Sequence, residues 1–236
     1  MCYHVSNESD VETLKAEFKL PVDKLEQFKK RYDFNGFEKP FLPVMTTPRS
    51  LDLYRWRLVP PNVTDEKAFR FNTLNATNHD LFNRDKMWWK YAKHNRCLVL
   101  CTGFFEPHYP DLNDKKNYES WYIKPLEKKF FAMGAIYSTW KGMNTFAIVT
   151  QDASPLVGAI HNDGKRQPLI LKGDAALSWM IPGLKENEIM DLTYFQYPDE
   201  KLSAYRVIDG VYSNNVDTNF SDIILPYSSS SRKMVA

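Results

Sequence analysis

The chain has 236 residues, 43% of them hydrophobic, which is enough for one substantial core. Basic and acidic residues nearly balance, 31 against 29, so no polybasic tail exists and an anionic partner must be met by local clusters of Lys and Arg. Three cysteines, no secretory leader and no apolar run of roughly 18 residues argue against a disulfide framework or a membrane partner and for a cytoplasmic protein.

At the start of the chain, Cys2 directly follows the initiator methionine. With Met1 removed, it carries an α-amine and a thiol on adjacent carbons. An aldehyde can condense with the amine, and the thiol can close onto the imine to give a thiazolidine ring. Reference pKa values of roughly 7.7–8.0 and 8.5 leave part of each group reactive near neutrality without drastic tuning.

Ser9 followed by Glu12 has capping-box spacing and predicts a helix with Val11, Leu14 and Phe18 on one face. Around and beyond Pro21, Leu25, Phe28 and Tyr32 repeat the three-and-four spacing and predict a second. Gly36, Pro40, Pro43 and Pro48 make 33–50 a loop with short extended pieces. A strand is expected over 54–59, stopped by Pro60-Pro61, then a short extended piece over 71–76 and a Lys- and Trp-rich helix over 83–94. The middle is β-rich, with strands expected at 97–101, 121–124, 130–137 and 145–150, and an exposed connection at 111–119. Another short strand is expected at 168–171, helices at 174–181 and 184–193, and an extended piece at 203–209. With no repeat and no linker, the reading is α+β: a single domain over 1–227, mainly antiparallel strands with peripheral helices, and a flexible tail at 228–236.

Aromatic residues, 14% of the chain, alternate with basic ones in Tyr54-Arg55-Trp56-Arg57 and Trp88-Trp89-Lys90-Tyr91. Such interleaving suits a single-stranded nucleic-acid groove, and equally a core bordered by snorkelling cations. Cys2, His4, Cys97 and Cys101 include zinc-ligand types. Residues four apart on a strand, however, lie about 13 Å apart, too far for one tetrahedral ion to take both thiolates. No metal and no cofactor is expected.

Several segments then matter together: Met1-Cys2, Trp56 with Leu58-Val59-Pro60, Asn75-Ala76, Arg96-Cys97-Leu98, Gly103-Phe104-Phe105-Glu106, and Ile160-His161 with Arg166-Gln167-Pro168. In order and spacing, over roughly residues 1–220, they resemble the SRAP (SOS-response-associated peptidase) family as a divergent bacterial member. The resemblance implies a barrel-like sheet and a monomer that senses abasic sites in single-stranded DNA. It further implies a covalent thiazolidine crosslink through Cys2, the peptidase label reflecting autocatalytic removal of the leading residue.

On that reading Cys2 is the nucleophile. Glu106, raised in pKa by burial beside Phe104 and Phe105, is the acid/base group that opens the closed sugar. His161 passes protons, and Asn75 orients the N-terminal residue or the sugar. His4, Trp56, Arg57, Thr77, Thr150, Lys165 and Arg166 are the candidates for substrate and DNA contact. The chain departs from the family pattern at several positions. His4 and Thr77 stand where the family has Arg, Pro107 and Gln167 stand where it has Trp and Met, and Asn162 to Lys165 form an insert between His161 and Arg166. Lys165, Arg55 and Arg57 are candidates to compensate. Two other functions use the same residues: a cysteine peptidase built on Cys2, His161 and Asn75, and a non-covalent single-stranded DNA-binding module.

Overall fold

The apolar runs of the middle of the chain close on themselves. The computed structural model describes residues 2–18, 25–213 and 216–228. Among these, strands β1 (His4–Asn7), β2 (Arg31–Asn35), β3 (Phe41–Met45), β4 (Asp52–Trp56) and β5 (Asn75–Thr77) fill the first third, with helix α1 (Val11–Phe18) between the first two. Helix α2 (Trp89–Ala92) leads into β6 (Arg96–Cys101), β7 (Gly103–His108), β8 (Glu119–Pro125), β9 (Phe131–Trp140) and β10 (Met143–Asp152). Then come α3 (Pro155–Ile160), β11 (Arg166–Pro168), β12 (Ile170–Leu171), α4 (Gly173–Trp179), α5 (Glu186–Thr193) and β13 (Leu202–Arg206).

Pairing runs β10–β4–β3–β6–β9 and returns to β10, a closed ring of five strands. Strands β5 and β11 extend the far half of β10, and β12 pairs with β9. A second, antiparallel sheet has the order β13–β8–β7–β1–β2. One face of it, with Val5, Phe104 and Ile123, joins the main core. The other carries a smaller apolar cluster of Phe105, Tyr122, Val207, Ile208, Val211 and Ile223. Closure removes free edges and fixes register, because a one-residue slip would turn every buried side chain outward. Gly103 is required where β7 crosses Tyr122: a Cβ there would lie 2.3 Å from the phenol oxygen.

The mainly antiparallel α+β reading agrees with this architecture, and several local readings do not. Asp10, not Ser9, caps α1: the amide of Thr13 donates to its carboxylate at 2.8 Å, while Ser9 is buried. Beyond Pro21, which lies outside the described residues, Leu25 and Phe28 are buried without a helix, and Tyr32 is in β2. The three-and-four spacing there reports burial alone. The stretch 33–50, read as a loop with short extended pieces, has one of them in the barrel as β3, which tolerates Pro43 because the ladder with β6 starts one residue later, at Val44. Of the expected helix at 83–94 only Trp89–Ala92 forms, and Asn83 instead folds the chain into a turn by accepting from the amide of Asp85 at 2.9 Å. The strand expected at 168–171 is two short strands, and α3 was not anticipated although Ser154-Pro155 is a capping residue followed by proline. Among the described residues no helix is long and apolar enough to cross a membrane. Residues 229–236 of the expected tail lie outside the described residues.

Candidate functional site

Cys2 stands just before β1, the strand held between β2 and β7. It is fully buried, its thiol lies 3.7 Å from the carbonyl oxygen of His4, and its own carbonyl accepts from Asn75 Nδ2 at 2.9 Å. Asn75 is brought there by parallel pairing of β5 with the central strand β10, opposite Ile148. Burial pushes the Cys2 thiol well above its ordinary range, and the nearby Glu106 and Cys101 add to the effect. Within this fold the thiol therefore keeps its proton at neutral pH.

Glu106 lies on β7, on the same face as Phe104, which packs opposite Val5 of β1. It is fully buried, and neither carboxylate oxygen has a hydrogen-bond partner among the described residues. Burial raises its pKa, while His161 and His4 nearby pull in the opposite direction. A buried carboxyl without a hydrogen bond is costly, and a fold retains such a group only where something compensates.

His161 arrives from the opposite direction. Ser154 caps α3 by accepting from the amide of Val157 at 3.3 Å, and Pro155 opens the helix. His161 ends it and begins a turn that closes through the Lys165 amide onto the His161 carbonyl at 2.9 Å. Lys165 takes a positive φ of 46° there, and the chain returns as β11. The imidazole Nδ1 lies 2.8 Å from the Arg166 carbonyl, 3.4 Å from the Arg166 amide and 3.7 Å from Glu106 Oε2. The shortest contact is to an acceptor, so Nδ1 carries a proton.

The insert that separates His161 from Arg166 is tied to the strand carrying Glu106. Asn162 accepts from the amide of Tyr109 at 3.1 Å and donates to its carbonyl at 2.8 Å. Asp163 pairs with Lys115 at 2.6 Å. Gly164 underlies the imidazole: a Cβ there would sit 3.1 Å from both Cε1 and Nε2 of His161.

The residues expected to contact DNA are dispersed. Trp56 is wholly buried, donating to the Leu74 carbonyl at 2.8 Å and stacked on Phe146, so it is core. Thr150 is fully buried and its carbonyl accepts from Arg166 at 2.7 Å. Arg166 also holds Asp152 at 2.6 Å and Asn78 at 2.9 Å, and it braces β10 against β11. Thr77 donates to Asp80 at 3.0 Å, and Lys165 is exposed. Arg57 shares Glu66 with Arg55 and Lys39, at 3.0, 2.9 and 3.0 Å, so it is tethered to a carboxylate that three cations share. His4 faces away from the main core: Nδ1 lies 2.9 Å from Asp33, which also accepts from Thr218 at 2.6 Å. Arg96 of the Arg-Cys-Leu segment is structural, donating to the carbonyls of Ala92, Lys93, Trp179 and Ile181 at the ends of α2 and α4.

A surface groove of about 220 Å³ is lined by Phe37, Phe71, Lys39, Arg57 and Arg70. Phe37 and Phe71 are 59% and 69% exposed. The groove adjoins Tyr3, whose ring lies 4.9 Å from Phe37 and whose hydroxyl accepts from Asn72 at 3.4 Å. Reading the sequence did not single out Tyr3, Phe37 and Phe71 around this groove, or Asp33 and Tyr212 around His4. The exposed aromatics beside Arg70 were the one local signal available. Among the described residues no group of three or more His, Cys, Asp or Glu is placed to hold a metal ion.

A family model described as SOS response associated peptidase (SRAP) matches residues 1–214. The abasic site processing protein YobE of Bacillus subtilis is 27% identical over 158 residues, covering 65% of this chain and 68% of that protein. The abasic site processing protein YMR114C of Saccharomyces cerevisiae is 26% identical over 171 residues, covering 69% and 44%. For the abasic site processing protein HMCES of Xenopus tropicalis the figures are 26% over 220 residues, 80% and 64%. The chain thus spans less than two thirds of the length of these two eukaryotic relatives. A crystal structure of a Bacteroides thetaiotaomicron protein has a TM-score of 0.82 at 26% identity, over 96% of this chain and all of that one. One from Bordetella bronchiseptica, at 18% identity and a TM-score of 0.70 over 87% and 99%, shares the fold.

Proposed function

The chain belongs to the SOS response associated peptidase (SRAP) family, and we propose that it captures abasic sites in single-stranded DNA as a thiazolidine formed by Cys2 after Met1 is removed. The observation that carries this reading is the buried carboxyl of Glu106, without a hydrogen bond among the described residues, 3.7 Å from His161 and close enough to Cys2 to raise its thiol.

Each group has a task. The closed abasic sugar opens when its anomeric hydroxyl loses a proton and the ring oxygen gains one, and a Glu106 carboxyl of raised pKa can carry both transfers. The Cys2 amine adds to the exposed aldehyde, and the carbinolamine loses water with a proton supplied by His161 or Glu106. The thiol then adds to the resulting iminium carbon and gives up its proton, so that aldehyde, amine and thiol become thiazolidine and water. Burial explains this order. A neutral thiol is a weak nucleophile, and a cationic iminium beside it lowers its pKa at the moment it is needed. Asn75 fixes the Cys2 carbonyl so that the amine and thiol keep one orientation. The same groups serve the autoproteolytic release of Met1.

Exposed aromatic rings and cations in the groove beside Tyr3 suit the bases and phosphates flanking the site. Capture in trans as a cysteine peptidase is the weaker reading, because the protonated Cys2 thiol lacks the ion pair with an imidazole that such enzymes use.

The test is intact mass spectrometry of the protein, alone and after incubation with a single-stranded oligonucleotide carrying one abasic site. The expected result is loss of Met1 and an adduct mapping to Cys2, absent with an unmodified oligonucleotide and in Cys2→Ser. A stable adduct on a lysine, or noncovalent binding alone, would overturn it.

A further inference from the structure

Four non-glycine residues among those described have positive φ: Lys39 at 55°, Arg57 at 95°, Lys141 at 49° and Lys165 at 46°. Glycine takes that region freely and other residues at a cost, so such an outlier is a pointer to function. Lys165 closes the turn after His161. The other three meet around one carboxylate and the loop that carries it.

Lys39 Nζ and Arg57 Nη1 each lie 3.0 Å from Oε1 of Glu66, and Arg55 Nη1 lies 2.9 Å from Oε2. Glu66 stands on the connection between β4 and β5. Lys141 holds that connection by donating to the Thr64 carbonyl at 2.7 Å, and Trp140 by donating to the Val63 carbonyl at 2.6 Å. With the loop fixed, a rotation of the Glu66 side chain is enough to free the cations.

Three cations facing one carboxylate leave two positive charges unbalanced. Arg55 also keeps Nε and Nη2 buried without a hydrogen-bond partner among the described residues. The site therefore carries more positive charge than its present occupant neutralises. A carboxylate presents two anionic oxygens as a fork, as does a phosphodiester, and a guanidinium binds either through its N–H donors.

This site opens on the groove lined by Phe37, Lys39, Arg57 and Arg70. The groove begins one residue from the nucleophile, because the amide of Gly36, part of its lining, donates to the Tyr3 carbonyl at 2.8 Å. A strand whose baseless sugar sits at Cys2 would pass its neighbouring phosphates along it.

We propose that Lys39 and Arg57 seat a phosphodiester of the single strand, and that Glu66 fills this seat until DNA displaces it. The inference deepens the capture reading and rests on it. Displacement trades one anion for another, so the seat adds little net affinity. What it fixes is the register of the strand over Cys2, as phosphate contacts do.

The experiment is a mutant cycle read by fluorescence anisotropy with an unmodified single-stranded oligonucleotide over a series of salt concentrations. It compares wild type, Arg57→Gln, Glu66→Gln and the double variant. With Glu66 in place, Arg57→Gln should change affinity by no more than about twofold. In the Glu66→Gln background it should weaken binding several-fold and reduce the salt slope by about 0.7, one phosphate contact. Lys39→Gln, taken through the same cycle, should show the same dependence on Glu66. Equal losses in both backgrounds would overturn the masking by Glu66, and no loss in either would overturn the seat. Wild type with a free Cys2 amine that forms no adduct with an abasic oligonucleotide would remove the capture reading instead, whichever way the cycle falls.

Discussion

Nδ1 of His161 lies 3.7 Å from Oε2 of Glu106, beyond hydrogen-bond length, while the same nitrogen is committed to the Arg166 carbonyl at 2.8 Å. The two groups are neighbours without being a bonded pair. Without a hydrogen bond from the imidazole, the lowering pull of His161 is outweighed by burial, and a raised pKa is what a proton carrier near neutrality requires.

Glu106→Gln keeps the shape and removes the titration. Crosslinking to an abasic site should slow by a factor on the order of 10²–10⁴ with binding of intact single-stranded DNA unchanged. The raised carboxyl pKa also sets a sign for stability. Its contribution is fully present below the unfolded value near 4.3 and is lost as pH rises through the folded value. The Gln variant lacks this loss, so its melting temperature should gain on wild type between pH 4 and pH 7. A constant difference across that range would mean that folding leaves the Glu106 pKa unshifted.

The thiol offers a second check. Because burial, Glu106 and Cys101 raise the pKa of Cys2, its thiolate fraction at pH 8 is small. Alkylation of Cys2 by iodoacetamide, followed by peptide mass spectrometry, should keep climbing about tenfold per pH unit through pH 9. A plateau near pH 8.5 would show an ordinary thiol. Glu106→Gln removes one of the raising influences and should speed the reaction.

Asn162 connects the two halves of the candidate centre through its paired bonds to Tyr109. Asn162→Ala should cost about 1–2 kcal/mol of stability, read from denaturant midpoints at constant slope. It should also slow crosslinking about tenfold through His161, since small displacements of a positioned group weigh heavily on rate. A stability loss with an unaltered crosslinking rate would reduce the insert to a surface latch.

What the sequence reveals about this centre follows range of interaction. Cys2, Asn75, Glu106 and His161 are legible as candidates because each sits in a short motif, and the fold bonds Asn75 to Cys2 and sets His161 3.7 Å from Glu106. Trp56 and Thr150 are buried, and the sequence could not show this because an aromatic or a hydroxyl suits a core as well as a nucleic acid. Asp33 and Tyr212 had no local signal, since their positions depend on pairings 29 residues apart for His4–Asp33 and on a segment more than 200 residues from Cys2. The 83–94 helix failed because the turn at Asn83 outcompeted a weakly capped helix.

Glu66 governs the charge of the aromatic groove. Burial would raise its carboxyl, but bonds from Arg55 and Lys39 outweigh it and hold the pKa at about 2. That depressed value stabilises the fold above the unfolded pKa, and the contribution is lost as pH falls from about 4.3 toward 2. Glu66→Gln should therefore destabilise the protein at pH 7 by about 1–3 kcal/mol, with the difference shrinking in acid. It should also release two cations that line the groove, Lys39 and Arg57. Fluorescence anisotropy with an unmodified single-stranded oligonucleotide should then show binding several-fold tighter at low salt and a steeper salt dependence, each added phosphate contact contributing about 0.7 to the slope. Unchanged affinity and slope would place the DNA path elsewhere on the surface.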